Sequence, residues 1–354
     1  MTSILTVRSA KPEAKATSIV DMSTTLGRLA LPNPVLTASG CAAAGHELAQ
    51  FFDVAALGGV VTKSIMMNPR SGRATPRMAE TPSGMLNSIG LQGSGIEAFV
   101  ERDLPWLVEQ GARAVVSIAG STVDEYAKLA MRLREARGIS MIEVNISCPN
   151  VEDRGQVFAC DPRSAAEVMQ AVRRATRSEV PVFAKLSPDV TDIVSIAQSC
   201  VTAGADGLSM TNTLLGIVID TDTLRPVLAG VTGGLSGPAI RPVALRCVWQ
   251  VHAAMPEVPI LGMGGIRTGL DALQFILAGA SAVSVGTEIF HDPNAPVRIL
   301  AELEAALAER GFQRLLDAVG LAHHERPPIE DALPTDSDSG VAAAPDAPAS
   351  ETPR

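Results

Sequence analysis

The sequence predicts a (β/α)₈ TIM barrel with long loops and a small hairpin over its C-terminal face. Eight short apolar runs typical of buried strands recur along the chain, and eight segments with apolar residues at three- and four-residue spacing separate them. A doubly wound open sheet is the main alternative, but no Gly-x-Gly-x-x-Gly follows the first predicted strand. The alternation of eight strand–helix units over about 300 residues therefore favours the barrel.

The predicted strands are rich in Val and Ile without a polar alternation, which is typical of strands buried on both faces of a parallel sheet. In chain order they are PVLTASG from Pro34, GGVVTKSI from Gly58, RAVVSIAG from Arg113, MIEVNISC from Met141, VPVFAKLS from Val180, DGLSMTN from Asp206, VPILGMGG from Val258 and AVSVGTEI from Ala282.

The helical patterns alternate with these strands, and several begin after Thr, Ser or Pro, which are frequent at helix starts. In chain order they are HELAQFFDVAAL, GIEAFVERDLPWLVEQ, VDEYAKLAMRLREA, SAAEVMQAVRRA, VTDIVSIAQSCVTA, PVALRCVWQVHAAM, GLDALQFILAG and APVRILAELEAALAER.

Two connections, residues 66–94 and 213–236, are too long for simple turns. Inside the second, GIVID and RPVLAG flank a polar turn and predict a hairpin. Both connections follow strand C-termini, so both are expected over the catalytic face of the barrel.

Composition limits the function classes. A net charge of −9 without a basic run excludes an extended nucleic-acid surface, and no apolar run reaches the length of a membrane span. The N-terminus lacks the apolar core and cleavage site of a signal peptide, so a cytoplasmic location is expected. We predict a flexible N-terminal extension over residues 1–20, a barrel domain over 21–318 and a disordered acidic tail rich in Pro and Ala over 327–354.

The five cysteines are odd in number and form no Cys-x-x-Cys pair, so no disulfide framework, zinc site or iron–sulfur cluster is expected within this chain. The histidines are scattered, and we expect no metal site. Cys200 and Cys247 lie on apolar helix faces and are predicted to pack as small hydrophobes. Cys41 and Cys160 are weaker candidates for a reactive role than Cys148.

Lysine and asparagine are scarce, and both concentrate at predicted strand ends. Of five lysines, Lys63 and Lys185 interrupt apolar strands, where a buried ammonium is costly unless an anion is present. A barrel would bring these lysines to one mouth together with amides, which suit a planar polar ligand. The alternative is that Asn favours turns and Lys favours surfaces. The four asparagines at strand ends or in the following loops are Asn87, Asn145, Asn150 and Asn212.

Glycines mark the ends of the last two predicted strands. The seventh ends in Gly262-Met263-Gly264-Gly265 and the eighth in Gly286-Thr287. Loops after strands seven and eight are the usual phosphate site of this fold, because backbone N–H groups there can hold an anion. Gly237 in SGPAI could flank the same ligand, although each of these residues also suits a simple turn.

A thiol follows the fourth predicted strand in the stretch EVNISCPN. Cys148 leaves the strand at the barrel mouth, whereas a lone cysteine is more often a buried hydrophobe. A free thiol has a pKa of about 8.5, so a modest thiolate fraction can act as a base near neutral pH. A covalent nucleophile would need a histidine partner, and only His46 lies near these loops. The pattern therefore favours proton transfer over acyl transfer.

Four stretches occur in a distinctive order and spacing: TPRMAETPSGMLNSIGLQ, NISCPN, TGGLSGPAIRPVAL and GMGGI…AGASAVSVGT. In these stretches the chain resembles the class 1 dihydroorotate dehydrogenases, from about Asp21 to Leu315. The stretches ATPRMAETPSGMLNSIGLQ, GQVFACDP and KLSPDVTDIV are closest to subtype 1B. In that subtype the catalytic flavoprotein works with a second subunit that holds FAD and a [2Fe–2S] cluster, and NAD⁺ takes the electrons.

The resemblance implies an FMN-binding barrel that oxidises (S)-dihydroorotate to orotate in pyrimidine synthesis. Cys148 would remove the C5 proton while a hydride leaves C6 for flavin N5. Backbone of Ile89, Gly90 and Leu91 would meet the substrate carboxylate. The implied substrate-binding residues are Lys63, Asn87, Ile89, Gly90, Leu91, Asn145, Asn150, Asn212 and Thr213.

The same resemblance implies the FMN site. Lys185 would approach the N1–O2 edge of the flavin, where the reduced ring gains negative charge that a fixed cation stabilises. The implied cofactor-binding residues are Ala38, Ser39, Gly40, Lys63, Ser64, Asn145, Lys185, Gly237, Gly264, Gly265, Gly286 and Thr287.

The resemblance also implies a homodimeric core that pairs with two iron–sulfur/FAD subunits to form a heterotetramer. Two departures from the family pattern matter. Arg154 falls in the loop expected to close over substrate and bears on the kinetics of that loop. SIMMNPR replaces an STTLEPR-like run and bears on the partner contact or the flavin edge. Three alternatives remain open. They are a fumarate-linked class 1A enzyme, a dihydropyrimidine dehydrogenase catalytic subunit, which would carry CPH rather than CPN, and a flavin-free barrel lyase or isomerase that binds a phosphorylated substrate.

Overall fold

Eight parallel strands form the central sheet, as described for residues 20–147 and 158–324 in a computed structural model. Around the sheet, neighbouring strands follow the order β3 (Val35–Thr37), β16 (Ala282–Val285), β15 (Ile260–Met263), β10 (Gly207–Met210), β9 (Val182–Leu186), β8 (Ile139–Asn145), β7 (Ala114–Ile118) and β4 (Val60–Val61). A parallel bridge between Leu36 and Gly59 joins the first of these strands to the last. The predicted (β/α)₈ barrel is therefore confirmed. Seven of the eight predicted strand segments contain a whole barrel strand, and MIEVNISC covers all but the first two residues of its strand, Ile139–Asn145.

The strands are short, and eight of them lie outside the barrel. In chain order they are β1 (Thr24–Leu26), β2 (Leu29–Leu31), β3 (Val35–Thr37), β4 (Val60–Val61), β5 (Met78–Thr81), β6 (Gly84–Asn87), β7 (Ala114–Ile118), β8 (Ile139–Asn145), β9 (Val182–Leu186), β10 (Gly207–Met210), β11 (Leu214–Gly216), β12 (Ile219–Asp220), β13 (Arg225–Pro226), β14 (Gly233–Ser236), β15 (Ile260–Met263) and β16 (Ala282–Val285).

The helices surround the barrel and follow its strands along the chain. They are α1 (Gly95–Ala98), α2 (Leu104–Glu109), α3 (Val123–Glu135), α4 (Pro162–Ala175), α5 (Ile193–Thr202), α6 (Arg241–Ala254), α7 (Gly269–Leu277), α8 (Glu288–His291) and α9 (Ala295–Glu309). Side chains cap four of their N-termini by accepting a backbone N–H, namely Thr122, Asp161, Asp192 and Thr268. These caps satisfy N–H groups that a helix start leaves without a partner.

The prediction of a helix over HELAQFFDVAAL is wrong. The segment forms two 3₁₀ turns, Leu48–Gln50 and Val54–Ala56, instead. Asp53 lies between them in an extended conformation, and its carboxylate accepts a hydrogen bond from Ala55 N. An aspartate side chain that accepts a hydrogen bond from the nearby backbone competes with helical hydrogen bonding and can end a helix. The spacing of the apolar residues does not reveal this competition.

The second predicted helix is interrupted. Between α1 and α2, residues Phe99–Asp103 form a π-helical segment. Pro105 follows directly at the start of α2, where its missing N–H removes one helical hydrogen bond. A single wide turn is a known way for a helix to accommodate such a position.

Both long connections fold into one antiparallel sheet over the barrel mouth. Its strand order is β11-β14-β6-β5, so residues from the first connection pair with residues from the second. The predicted hairpin is present as the short pair β12–β13. The four-stranded sheet has no local sequence signal, because its pairing joins segments about 150 residues apart, and it was therefore not predicted.

The barrel interior has an apolar layer and, above it, a polar one. The apolar layer includes Val115, Met141, Phe183 and Ala282, and the β1–β2 hairpin adds Leu26 and Leu31 to it. Side chains two residues apart along a strand share a face. Two residues further toward the strand C-termini, the interior becomes polar. The polar layer consists of Ser117, Glu143, Lys185, Ser209 and Ser284, all buried.

The described chain extends slightly beyond both ends of the predicted barrel domain. Val20, within the predicted extension, is buried in the core. At the other end a 3₁₀ turn, Leu321–His323, places the His323 ring against Trp249 with centroids 3.6 Å apart. The predicted N-terminal extension otherwise, and the predicted tail over 327–354, lie outside the described residues. Within those that are described, no helix is long and apolar enough to cross a membrane.

Candidate active site

A cleft opens at the C-terminal ends of the barrel strands, under the antiparallel sheet. It has two adjoining parts that share wall residues such as Lys185 and Asn212. The part of about 380 Å³, which contains Gly264 and Gly265, is called the glycine-side cavity. The part of about 460 Å³, which contains Asn87 and Asn145, is called the amide-side cavity.

The structure brings the predicted site residues together. The glycine-side cavity is lined by Ala38, Ser39, Lys185, Asn212, Thr213, Gly237, Gly264, Gly265, Gly286 and Thr287. The amide-side cavity is lined by Ser39, Gly40, Lys63, Ser64, Asn87, Ile89, Gly90, Leu91, Asn145, Lys185, Asn212, Thr213 and Thr287. Cys148, Asn150 and Arg154 lie outside the described residues, so their placement is not part of this geometry.

A continuous hydrogen-bond network of amides and hydroxyls crosses the amide-side cavity. Asn212 Nδ2 donates to Ser147 Oγ at 2.7 Å, and Ser147 Oγ donates to Asn145 Oδ1 at 3.1 Å. Asn145 Nδ2 then donates to Ser64 Oγ at 2.9 Å. Because these partners fix each amide, the orientation of the polar groups on this wall is set before any ligand binds.

Buried partners behind the wall hold the network in place. Ser64 Oγ lies 3.1 Å from Ser39 Oγ and 2.9 Å from Ser117 Oγ. The Tyr126 hydroxyl, on α3, donates to the carbonyl oxygen of Asn145 at 2.7 Å. The end of β8, and with it Ser147 immediately before Cys148, is thus fixed by three neighbouring elements.

The two predicted lysines occupy different walls. Lys63 follows β4, and its backbone N–H donates to Ala43 O at 2.8 Å. Lys185 lies next to the last residue of β9, at the boundary of the two cavities, where its Nζ lies 3.4 Å from Glu143 Oε1. The side chains of Lys185 and Glu143 are only 5% and 0% exposed. An ammonium buried to this degree needs such a counter-ion.

Glycines let the backbone approach closely around the glycine-side cavity. Gly265 has φ of +76°, and a Cβ there would lie 2.6 Å from Gly237 O and 2.9 Å from Arg241 Cβ. Gly237 has φ of +90°, and its Cβ would lie 2.7 Å from Gly84 Cα. Both positions therefore require glycine, on conformational and on steric grounds.

Two hydroxyls of the glycine-side cavity lack a partner within the described part of the chain. Thr211 Oγ1 and Ser284 Oγ are buried and make no hydrogen bond there, although both residues line the cavity. Buried polar atoms are normally satisfied, so these two atoms indicate that a ligand or water completes the wall. A polar ligand with several acceptor and donor groups fits this chemistry.

The cysteines of the described residues are poor bases. Cys41 lines both cavities, and burial raises the pKa of its thiol to about 11 despite the opposing charges of Lys185 and Lys63. Burial also raises the pKa of Cys200, to about 12. Cys200 and Cys247 are fully buried, so the prediction that they pack in the core is confirmed. Over the described ranges, no group of three or more His, Cys, Asp or Glu residues could hold a metal ion.

Comparison with known proteins gives the family. A model of the dihydroorotate dehydrogenase family matches residues 21–307, which is most of the chain. The chain belongs to the dihydroorotate dehydrogenase family. It is therefore an oxidoreductase, and the class 1 resemblance drawn from the sequence motifs is confirmed.

Similar members of this family share about half of their residues with the chain. It is 53% identical to the dihydroorotate dehydrogenase B (NAD(+)) catalytic subunit of Pelobacter propionicus over 300 residues, covering 85% of this chain and 98% of that one. The catalytic subunits of the same name from Geobacter sulfurreducens and Desulforudis audaxviator are 50% and 51% identical, covering 85% and 86% of this chain and 97% and 98% of theirs.

Two charged residues were not predicted from the sequence: Arg73 on the cleft wall, and Glu143, which lines neither cavity but contacts Lys185. Glu143 interrupts the apolar strand MIEVNISC just as the lysines interrupt theirs, so the same signal could have found it. Arg73 lines the amide-side cavity, where its Nη1 donates to Ser88 Oγ at 3.0 Å. Nothing local distinguishes Arg73 from the other arginines of a loop rich in them.

Proposed function

We propose that this chain is the catalytic subunit of an NAD-linked dihydroorotate dehydrogenase, which oxidises (S)-dihydroorotate to orotate in de novo pyrimidine synthesis. The observation that carries the proposal is the match over nearly the whole length of relatives that bear this name. The cleft supports it, because its amide network offers alternating donors and acceptors to a planar pyrimidine ring. The relatives' name also favours NAD⁺ over the fumarate-linked alternative, and Asn150 disfavours dihydropyrimidine dehydrogenase.

FMN fits the cleft on three observations. Gly237 and Gly265 bring backbone without a side chain to the cavity wall, where N–H groups can hold a phosphate. Thr211 and Ser284 present hydroxyls without partners among the described residues, and Lys185 supplies a cation at the junction. We assign its binding to Ala38, Ser39, Gly40, Lys63, Ser64, Asn145, Lys185, Gly237, Gly264, Gly265, Gly286 and Thr287. When bound, FMN supplies the hydride acceptor.

The chain's own residues hold the substrate and remove one proton. We assign the ring-holding role to amide-side groups, including Asn145 and Asn212, and the C5 proton to the Cys148 sulfur. Hydrogen bonds to Asn145 and Asn212 fix Ser147, the residue immediately before Cys148 in the sequence. The full set of substrate contacts comprises Lys63, Asn87, Ile89, Gly90, Leu91, Asn145, Asn150, Asn212 and Thr213.

We further propose the assembly that the relatives' name suggests. The phrase "catalytic subunit" in that name supports a partner subunit, to which we assign FAD and a [2Fe–2S] cluster. A homodimeric core with two such partners would form a cytoplasmic heterotetramer, with residues 21–318 as the catalytic domain of each core chain. Co-expression with an iron–sulfur flavoprotein and tandem purification tests this, since recovery of the chain alone, with no NAD⁺ reduction, would contradict it.

The flavin and the substrate are tested directly. The purified protein should be yellow and should release FMN on denaturation. Anaerobic dihydroorotate should bleach the flavin, whereas dihydrouracil, which lacks the carboxylate, should not. A colourless, folded protein would contradict the flavoenzyme proposal, and bleaching by dihydrouracil would contradict the substrate.

Gly265→Ala should weaken FMN binding by about tenfold or more, because the added methyl group displaces Gly237 or Arg241 from the cavity wall. The measurement is the FMN dissociation constant from fluorescence titration. Gly311→Ala is the matched control: Gly311 has a similar φ of +80°, but no atom lies within 4 Å of its added Cβ. Gly311→Ala should bind FMN as tightly as the unaltered protein, and a Gly265→Ala variant with the same affinity would contradict the role of Gly265 in the cavity wall.

Arg73→Gln should raise the KM for dihydroorotate by about 10- to 100-fold, as expected for one charged hydrogen bond to a carboxylate. Arg73 lines the amide-side cavity beside Ile89 and Gly90, and no carboxylate pairs with it among residues 20–147 and 158–324. Orotate titration monitored by the flavin spectrum should show the same loss. Arg77→Gln is the control, because Arg77 in the same loop bonds Gln92 at 2.7 Å and does not line the cavity.

A further inference from the structure

The buried pair of Glu143 and Lys185 has a property that the proposed chemistry does not use. Glu143 Oε1 contacts Lys185 Nζ at 3.4 Å, whereas Glu143 Oε2 is buried without a hydrogen-bond partner among the described residues. Among the described residues, the charged group in contact with this carboxylate is therefore Lys185, which lines the cleft. Burying a carboxylate with so few hydrogen-bond partners costs free energy, so a function for Glu143 at this position is expected.

The position of the pair limits what that function can be. Strand register places Asn145 beside Lys185, and Glu143 lies two residues earlier on β8, facing the same interior. Glu143 thus belongs to the polar layer below the cleft floor, while Lys185 reaches the cleft itself. Glu143 does not line either cavity, so it acts on a ligand only through Lys185 or through its charge.

Opposite charges at this distance change the field that a ligand in the cleft experiences. Lys185 alone would present a full positive charge to the flavin, which would stabilise the reduced, more negative ring. The Glu143 carboxylate offsets part of that charge, and in the low dielectric of the barrel interior the offset is large. A less stabilised reduced flavin passes its electrons onward more readily, which suits a chain whose electrons leave for another acceptor.

We propose that Glu143 is a positioning residue for Lys185: its carboxylate holds the ammonium at the cleft floor, offsets its charge and thereby lowers the reduction potential of the flavin bound there. This inference rests on the proposed function. It concerns the tuning of the cofactor, and the proton transfer at Cys148 does not depend on it.

Glu143→Gln is the first test, since it removes the charge and keeps the shape of the side chain. The reduction potential of the bound FMN, measured by equilibration with a redox dye, should rise enough to shift the reduced-to-oxidised ratio at least about tenfold, which is about 30 mV for a two-electron couple. Ser209→Ala is the control: register aligns Ser209 with Lys185, and its buried hydroxyl also lacks a partner in the described chain, but it carries no charge. The control should leave the potential unchanged.

Glu143→Asp covers the case in which the glutamine variant does not fold. It keeps the charge but withdraws it from Lys185 by one methylene, so the potential should rise in the same direction by a smaller amount. A potential equal to or below that of the unaltered protein, in whichever variant folds, would overturn the proposal. If the unaltered protein binds no flavin or is not reduced by dihydroorotate, the proposed function fails instead, so the two failures are distinguishable.

Discussion

Replacing Cys148 with serine is expected to slow the reduction of bound flavin by dihydroorotate by about 10²- to 10⁴-fold near neutral pH, the usual contribution of a general base. A hydroxyl is a much poorer base than a thiol, because almost none of it is ionised in this pH range. FMN should stay bound, since the cavity residues that we assign to it are untouched. Anaerobic stopped-flow measurement of flavin bleaching gives the rate, and the absorption spectrum before mixing gives the occupancy.

The pH dependence provides a second readout of the same variant. If Cys148 is the base, the rate for the unaltered protein should rise with pH as the thiolate fraction grows and then level off. The serine variant should keep rising to the highest pH at which the protein is folded. Parallel profiles of equal height for the two proteins would refute the assignment of the base.

Cys41→Ala is the matched control for this experiment. Cys41 also lines the cleft, but burial raises the pKa of its thiol to about 11. A raised pKa means that the thiol stays protonated below pH 11, so it offers almost no thiolate near neutral pH. Rapid bleaching should therefore survive in Cys41→Ala. Loss of bleaching there, with Cys148→Ser unaffected, would exchange the roles of the two cysteines.

The barrel was predictable because its signal is local. Runs such as VPVFAKLS and MIEVNISC are mostly apolar over the length of one strand. VPVFAKLS contains β9, and MIEVNISC covers β8 except for its first two residues. The predictions of secondary structure fail where the local conformation depends on pairing with a distant segment or on one side chain. The sheet of β5, β6, β11 and β14 joins two distant loops, and Asp53 breaks a helix that the apolar spacing favours.

Site residues were predictable where a residue type that is scarce in this chain interrupts an apolar strand. Lys185 drew notice because a lysine in an apolar strand is costly. The serines behind Asn145 did not, because Ser64 and Ser117 are common residue types and their meeting at 2.9 Å depends on two strands lying side by side. Cys148 and Asn150 stay predictions, since they lie outside the described residues.

Lys185→Met is expected to lower the free energy of unfolding by about 3–5 kcal/mol, the usual cost of removing one partner from a buried ion pair. The loss arises because Glu143, fully buried, is left without its counter-ion. Urea denaturation of FMN-stripped protein measures it without the stabilisation that ligand binding adds. Lys128→Met is the control: Lys128 pairs with Asp124 on the exposed face of α3, so the transition should not move.

The double variant Glu143→Gln/Lys185→Met separates the pair from the rest of the barrel. Replacing both partners of a buried pair by uncharged groups is often close to neutral, because the cost of dehydrating two charges disappears together with their attraction. We therefore expect the double variant to recover most of the stability that Lys185→Met loses, with a coupling energy well above that of independent sites. Additive losses would mean that the two side chains stabilise the barrel separately. Recovery of stability without recovery of flavin reduction would show that the pair is retained for its effect on the flavin.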